Sequence, residues 1–196
     1  MDPAIDNIHQ FWFGDLDATG MCAQEKSQLW FRKSDDTDRL CRQRFGDRVE
    51  LALGGGLTDW EASDRGVVAL VLLLDQFTRN IYRNTARAFA GDSRALGLAQ
   101  STILSGQYRR LPAIHQVFLF LPLEHSEDLA TQEQCVALFD GLAAATGSAQ
   151  IADFGRYAQA HHEVISQFGR FPHRNALLGR SSTAAENEYL KIHGGF

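Results

Sequence analysis

The sequence lacks both a hydrophobic segment long enough to cross a membrane and the basic excess typical of nucleic-acid-binding proteins. Its longest uncharged apolar stretch, residues 67–74, has eight residues, whereas a membrane helix needs about twenty. Lys and Arg number 19 against 24 Asp and Glu, which gives a net charge of −5. A nucleic-acid footprint or attachment to acidic lipids would need a basic face. We therefore expect neither a membrane nor a nucleic-acid partner.

Cysteines are also few, and none of them belongs to a Cys-x-x-Cys pair. The three residues Cys22, Cys41 and Cys135 are odd in number and far apart, which favours reduced thiols in a cytosolic protein over a disulfide framework. The first residues have neither the basic start nor the apolar run of a secretory signal. Together these features predict a cytoplasmic location.

Prolines number only four in 196 residues, and no segment has the alternating pattern of a strand flanked by turn pairs. Apolar residues recur at helical spacing, between residues that commonly cap or end helices. The pattern predicts about eight helices joined mostly by short connections, which is typical of antiparallel helix pairs. The length and the 44% apolar content favour one all-α domain over residues 1–196.

Several helix boundaries follow from capping residues. Asp64 is expected to cap a helix through residues 67–74, which is apolar on all sides and should be the most buried. Pro122 is expected to end a short apolar helix, and Ser126 to cap the next one. Residues 183–186 have the spacing of a capping box for a last helix. The inner stripe of the helix after Ser126 is predicted to be Leu129, Val136, Phe139 and Ala143.

Four groups of polar residues adjoin buried segments, and the first follows the central helix at residues 75–80. Asp75 and Arg79 are four apart and share a helix face, where a carboxylate is costly unless it is paired. One interpretation is a structural ion pair, with Gln76 and Asn80 bound to loop backbone. The other is that Asp75, Arg79 and Asn80 contribute to a ligand pocket.

The second group is residues 121–128, in which Glu124 and His125 follow an apolar run. His125 lies four residues before Leu129 and should lean toward the core stripe. It could act as a general acid or base, or join Glu124 as a metal ligand. The alternative is a helix N-terminus, with Ser126 as the cap and the two following acids favoured by the helix dipole.

The third group is the adjacent pair His161 and His162. Both border a predicted buried stripe within residues 151–168. A lone core histidine usually has only a packing role, but two adjacent ones near another polar group are less usual. Neither Glu-x-x-His nor His-Glu-x-x-His is present, so the spacing identifies no metal site and no metal ligand is assigned.

The fourth group is residues 168–175, the one basic loop of an acidic chain, just past a helix end predicted at Gly169. Arg170, His173 and Arg174 alternate there with aromatic residues. The two arginines could hold a carboxylate or a phosphate in two-point contact. The alternative is that they bind the last carbonyls of the preceding helix.

Five segments together resemble a bacterial family catalogued as domain of unknown function 924, and they span nearly the whole chain. Thr78 is a departure, because the family often has proline at that position. The resemblance implies a tetratricopeptide-like, all-α fold, in agreement with the helix pairs. It implies no activity and supplies no catalytic residues. The matching segments are residues 11–14, 74–83, 86–90, 121–129 and 168–175.

Three hypotheses of function remain open, and the first is a pocket for a small anionic or zwitterionic ligand at the helix ends. Catalysis in this pocket is one option within the hypothesis, which requires that the four polar groups come together. Its catalytic residues would be Glu124, His125 and His161. Its ligand-binding residues would be Asp75, Arg79, Asn80, Arg170, His173 and Arg174.

The second hypothesis is a peptide- or protein-binding module, by analogy with the concave grooves of helix-pair scaffolds. The third is a metal-dependent enzyme, which would need three or four side chains around one ion. Its candidate ligands are Glu124, His125, Glu127, Asp128, His161 and His162. The first hypothesis is favoured, because clustered buried charges more often mark sites. The sequence identifies no substrate, reaction or cofactor.

Overall fold

A computed structural model describes residues 2–195, and they form an all-α chain, as predicted. Within this range there is no strand, and the β interaction is an isolated bridge between Leu16 and Cys22. None of the helices described is long and apolar enough to span a bilayer. The helices are α1 (Pro3–Trp12), α2 (Lys26–Phe31), α3 (Asp35–Leu53), α4 (Asp64–Val71), α5 (Thr78–Ile81), α6 (Asp92–Leu104), α7 (Ala113–Glu124), α8 (Leu129–Thr146), α9 (Ala149–Phe168) and α10 (Ala184–His193).

The central helix is the one that the sequence predicts to be most buried. α4 continues through a π-helical segment, Leu72–Phe77, directly into α5, and every residue from 66 to 78 is buried. The predicted cap was wrong by one position. Ser63 has extended backbone and its side chain accepts a hydrogen bond from the Gly66 N–H, which leaves Asp64 as the first helical residue.

The chain divides into two compact units. Unit 1 holds residues 2–83 and 87–122, and its core is aromatic. The ring of Trp12 lies 5.1 Å from that of Phe77 and 5.8 Å from that of Phe118, both edge to face. Such contacts join α1, the central helix and α7 in one interior.

Unit 2 holds residues 84–86 and 123–195. α8 and α9 are joined by two residues and pack against each other, with the rings of Phe139 and Phe154 stacked 6.4 Å apart. α10 begins at the predicted capping box, in which Thr183 and Glu186 each bind the backbone N–H of the other. A single domain over residues 1–196 stays a prediction.

The turn between α7 and α8 differs from the sequence-based prediction. Pro122 lies inside α7 rather than at its end, and only two helical residues follow it. Asp128, not Ser126, caps α8, because its backbone is extended and its side chain accepts from the Thr131 N–H at 2.8 Å. Leu129, expected on the inner stripe, is the first helical residue and is exposed. The buried residues of α8 are Thr131, Gln132, Cys135, Phe139 and Leu142.

Candidate functional site

The polar cluster of unit 2 starts from a buried carboxylate and a buried imidazole. Glu124 is the last residue of α7, and His161 lies on the inner face of α9. Glu124 Oε1 is 3.4 Å from His161 Nδ1, and both side chains are less than one-tenth exposed. Two titratable groups that share a dry environment influence each other's protonation strongly.

The hydrogen bonds of His161 determine its tautomer. Its Nδ1 lies 2.8 Å from the carbonyl oxygen of Tyr157, one turn earlier in α9. A carbonyl can only accept, so Nδ1 carries the proton and donates it, and Nε2 is the acceptor nitrogen of the neutral ring. Burial lowers the pKa of His161 to about 3; the neighbouring His125 and Arg174 lower it further, and the hydrogen bond to Tyr157 offsets part of this. His161 is therefore neutral near pH 7.

The ring of Phe171 lies close to three side chains of the cluster, those of His161, Arg174 and His173. It is fully buried and lies 5.5 Å from the His161 ring, edge to face. The Arg174 guanidinium lies over it at 4.5 Å, in the geometry of a cation–π contact. The His173 ring is 5.7 Å away. The loop after α9 thus places a cation and a second histidine beside the Glu124–His161 pair.

An ion pair fixes the backbone of Phe171. Glu127 Oε1 accepts the Phe171 N–H at 2.8 Å, and the same carboxylate binds Arg180 through two contacts of 2.6 and 2.9 Å. Arg180 also donates to the Phe171 carbonyl at 3.2 Å. Burial raises the pKa of Glu127, but the bonds from Arg180 and the Phe171 N–H outweigh this and lower it. Glu127 is thus held by Arg180 and the Phe171 backbone, and an effect of the α8 dipole on it stays a prediction.

Arg170 has a structural partner. Its guanidinium binds the Glu186 carboxylate at 2.6 and 2.9 Å and the Ser181 carbonyl at 2.9 Å. The hydrogen bonds from Arg170 lower the pKa of Glu186 to about 2. α9 ends at Gly169 as predicted, because a residue with φ of 68° needs the freedom of glycine. A ligand-binding role for Arg170 stays a prediction.

His125 and His162 occupy different surroundings. His125 is half-buried in the turn before α8, and its ring is 6.2 Å from that of His161, edge to face. The spacing to Leu129 is not the reason that His125 leans inward, because Leu129 is exposed. His162 Nδ1 is buried and has no hydrogen-bond partner within residues 2–195.

The other three predicted ligand-binding residues belong to unit 1. Asp75 is fully buried and pairs with Arg79 at 3.1 Å, and Arg79 also binds both carboxylate oxygens of Asp92, at 2.9 and 3.0 Å. Burial lowers the pKa of Arg79, but the charges of Asp75 and Asp92 outweigh this and raise it. The predicted ion pair is present.

The predicted bonds of the neighbouring amides to loop backbone were wrong. Gln76 donates to the carboxylate of Asp75, and Asn80 donates to the carboxylate of Asp38 on α3 at 2.8 Å. Both amides thus support carboxylates inside unit 1. A ligand-binding role for Asp75, Arg79 and Asn80 stays a prediction.

Comparison with known proteins identifies the family. The pattern of a family described as "Bacterial protein of unknown function (DUF924)" matches residues 8–194. The chain belongs to this family. It is also similar to the solved structure of a protein of unknown function from Agrobacterium tumefaciens, with a TM-score of 0.82, 31% sequence identity and coverage of 97% of this chain and 98% of that one. No curated protein matches.

The metal hypothesis finds no geometric support in this family member. It requires three or four ligands around one ion, and residues 2–195 contain no group of three His, Cys, Asp or Glu side chains arranged to hold a metal. Of its candidate ligands, Glu127 binds Arg180 and Asp128 caps α8.

Sequence reasoning missed three residues of this DUF924 cluster. Phe171 and Gln132 are fully buried within it, and Cys135 lies one turn after Gln132 on α8. Burial and the charge of Glu124 raise the pKa of Cys135 well above its usual value, so it stays a thiol. A polar residue on the inner face of a helix leaves no periodic signal, and the corrected start of α8 is needed to place Gln132 inside.

Proposed function

We propose that unit 2 binds a small anionic or zwitterionic molecule at the cluster of Glu124, His125, His161, His173 and Arg174. One observation carries the proposal: a buried imidazole, that of His161, lies between the buried carboxylate of Glu124 and the ring of Phe171, which the buried guanidinium of Arg174 also contacts. Burying a charged group is costly, and such groups cluster where they meet a ligand.

The charges of the cluster define the class of ligand. Arg174 offers a planar set of donors suited to a carboxylate or a phosphate. Glu124 offers an acceptor to an ammonium or hydroxyl group of the same small molecule. His125 and His173 are half-buried, so they are the members of the cluster that solvent reaches and through which a ligand would enter.

Proton transfer is a second candidate function, and the tautomer of His161 favours it. The Nδ1–H bond to Tyr157 holds the ring so that Nε2 is the proton acceptor. Glu124, beside Nδ1, stabilises the imidazolium that forms when Nε2 takes up a proton. We propose Glu124, His125 and His161 as the residues that would carry such a step.

Side-chain NMR of the full chain labelled at histidine tests the ligand proposal, with acetate, phosphate and glycine as probes. We expect at least one probe to shift the His125 and His161 signals in a saturable manner, and the nitrogen shifts to show the Nδ1–H tautomer at pH 7. Arg174→Gln should weaken binding by about ten-fold or more, the usual effect of removing a charged hydrogen-bond donor. Arg174→Lys should retain part of the affinity.

Arg156→Gln is the matched control, because Arg156 lies on the exposed side of α9 and pairs only with Asp153 among the described residues. This variant should bind like the wild type. If no probe shifts either histidine at tens of millimolar, the ligand proposal is wrong. An Nε2–H tautomer or an imidazolium at pH 7 would contradict the proton-transfer proposal alone.

The tetratricopeptide-like arrangement and a peptide or protein partner rest on analogy with other helix-pair proteins. No contact within either unit adds to that analogy, so both stay predictions, as does a cytoplasmic location. A protein partner that shifts signals of exposed residues and leaves His161 unchanged would favour the binding-module alternative.

A further inference from the structure

One buried amide holds the turn that carries Glu124 and His125. Gln132 lies on the inner face of α8 and is fully buried. Its Nε2 donates to the carbonyl of Glu124 at 2.5 Å and to the carbonyl of Ser126 at 2.7 Å. These two carbonyls lie on either side of His125, so one side chain restrains the backbone before and after it.

The hydrogen bonds of Gln132 fix the orientation of its amide and indicate why this buried residue is glutamine. Both backbone acceptors require a donor, so the nitrogen faces the turn. Oε1 is buried and has no hydrogen-bond partner within residues 2–195. An unpaired buried acceptor is unfavourable, whereas an apolar side chain would fill the same space without that loss. The favourable interaction that glutamine provides at this position, and that an apolar residue would lack, is therefore its two hydrogen bonds to the turn.

Two further hydrogen bonds of this turn are local. The Ser126 N–H donates to the Leu123 carbonyl at 3.1 Å, and the Asp128 N–H donates to Ser126 Oγ at 3.2 Å. Both bonds tie the turn to itself or to its own helix end. Gln132 is one turn into α8, so its two bonds connect the end of α7 to the next helix.

We infer that Gln132 is a positioning residue, which sets the orientation of Glu124 and His125 relative to His161. The inference rests on the proposed function for its importance, since those three residues are the proposed acid–base groups. Gln132 would act through the backbone of the turn and would not touch the ligand. Losing its two bonds should let His125 move away from His161 while α8 and α9 stay packed.

The test compares Gln132→Met with the wild type by histidine side-chain NMR of the full chain. Met has a similar length but cannot donate. We expect the cross-peak between the His125 and His161 rings to fall by at least half, and the titration midpoint of His125 to shift by about 0.5 pH units or more. The exposed His193 should be unchanged. Gln159→Met is the matched control, because Gln159 is exposed on α9.

A measurement on the wild type guards against a variant that fails to fold. The Gln132 side-chain amide protons should exchange with solvent at least a hundred-fold more slowly than those of Gln159, because they are buried and bonded. Equal exchange rates would overturn the inference. So would a folded Gln132→Met variant with an unchanged ring cross-peak and an unchanged His125 midpoint.

The outcomes separate this inference from the proposed function. If the ring contact depends on Gln132 but acetate, phosphate and glycine all fail to bind the wild type, the ligand proposal falls and the positioning role stands. If a probe binds the wild type and Gln132→Met with the same Kd and the same ring contact, the positioning role falls and the ligand proposal stands.

Discussion

Gly91 shows how closely unit 1 packs at a single position. It precedes the first residue of α6, and a Cβ atom built on it would lie 2.2 Å from the carbonyl oxygen of Leu74 in the central helix. The clash could be relieved only if the backbone at Gly91 or at Leu74 moved, because no flexible side chain is involved. We expect Gly91→Ala to reduce the free energy of unfolding by about 1–3 kcal/mol or more, as overpacking does. Urea unfolding monitored by circular dichroism measures this.

Gly97 provides the control within the same helix. It is exposed in α6, and a Cβ there would meet nothing within 4 Å. Gly97→Ala should therefore stabilise the protein by up to about 1 kcal/mol, because alanine is the better helix former. Equal effects of the two substitutions would show that α6 is not seated against Leu74 in this way.

Charged residues were predictable where the partner is near in sequence. The spacing of Asp75 and Arg79 predicts their pair, because positions four apart on a helix face the same side. It does not predict Asp92, which is thirteen residues from Arg79. Arg170 and Arg174 look equivalent in sequence. Their surroundings differ, because Arg170 reaches Glu186 on α10 and Arg174 lies over Phe171.

Helices were easier to predict than their boundaries. Apolar spacing identifies the central helix and α9, and the capping box of α10 is present as predicted. The π-helical segment Leu72–Phe77 leaves no signal in a run that is apolar on every side. Pro122 was misleading, because a proline near the last turn disturbs few of the helix hydrogen bonds.

Asp128 and Ser126 make the start of α8 testable. Asp128 Oδ1 accepts from the Thr131 N–H and its hydroxyl, whereas Ser126 Oγ accepts one N–H in the turn before the helix. Asp128→Ala should lower the Tm by about 2–4 °C through loss of the cap. Ser126→Ala should have less than half that effect. The reverse order in thermal unfolding would restore Ser126 as the cap.

Across the whole chain, the sequence predicted the fold class better than the arrangement of the polar side chains. The all-α class follows from periodicity, and membership of the DUF924 family follows from motifs spread along the chain. Glu124, His125, His161 and Arg174 were predicted as site residues. The contacts of Glu124 and His125 with His161, and of His161 and Arg174 with Phe171, depend on how the end of α7, α8, α9 and the following loop pack, which local patterns do not encode.

Buried histidines should make the protein sensitive to mild acid. Burial lowers the pKa of His9 to about 4 and the pKa values of His115 and His161 to about 3. In the unfolded chain a histidine takes up a proton near pH 6.5. Below that pH these histidines bind protons in the unfolded chain but not in the folded protein, where their pKa values are lower. Each histidine therefore removes about 1.4 kcal/mol of unfolding free energy per pH unit until its folded pKa is reached.

Urea unfolding at pH 7.5, 6.5, 5.75 and 5.0 measures this loss of unfolding free energy. These pH values lie above the range in which carboxylates titrate. The free energy of unfolding should be flat above about pH 7 and should fall below pH 6.5, with all three histidines contributing. His115 lies 4.7 Å from His9, edge to face, within unit 1, so His115→Phe should remove one contribution and reduce the slope by about a third. His193→Gln, at an exposed position, should leave the slope unchanged. A wild type whose stability is the same at pH 6.5 and 5.0 would mean that these rings take up protons in the folded state as readily as in the unfolded chain, and would contradict the effect of burial on their pKa values.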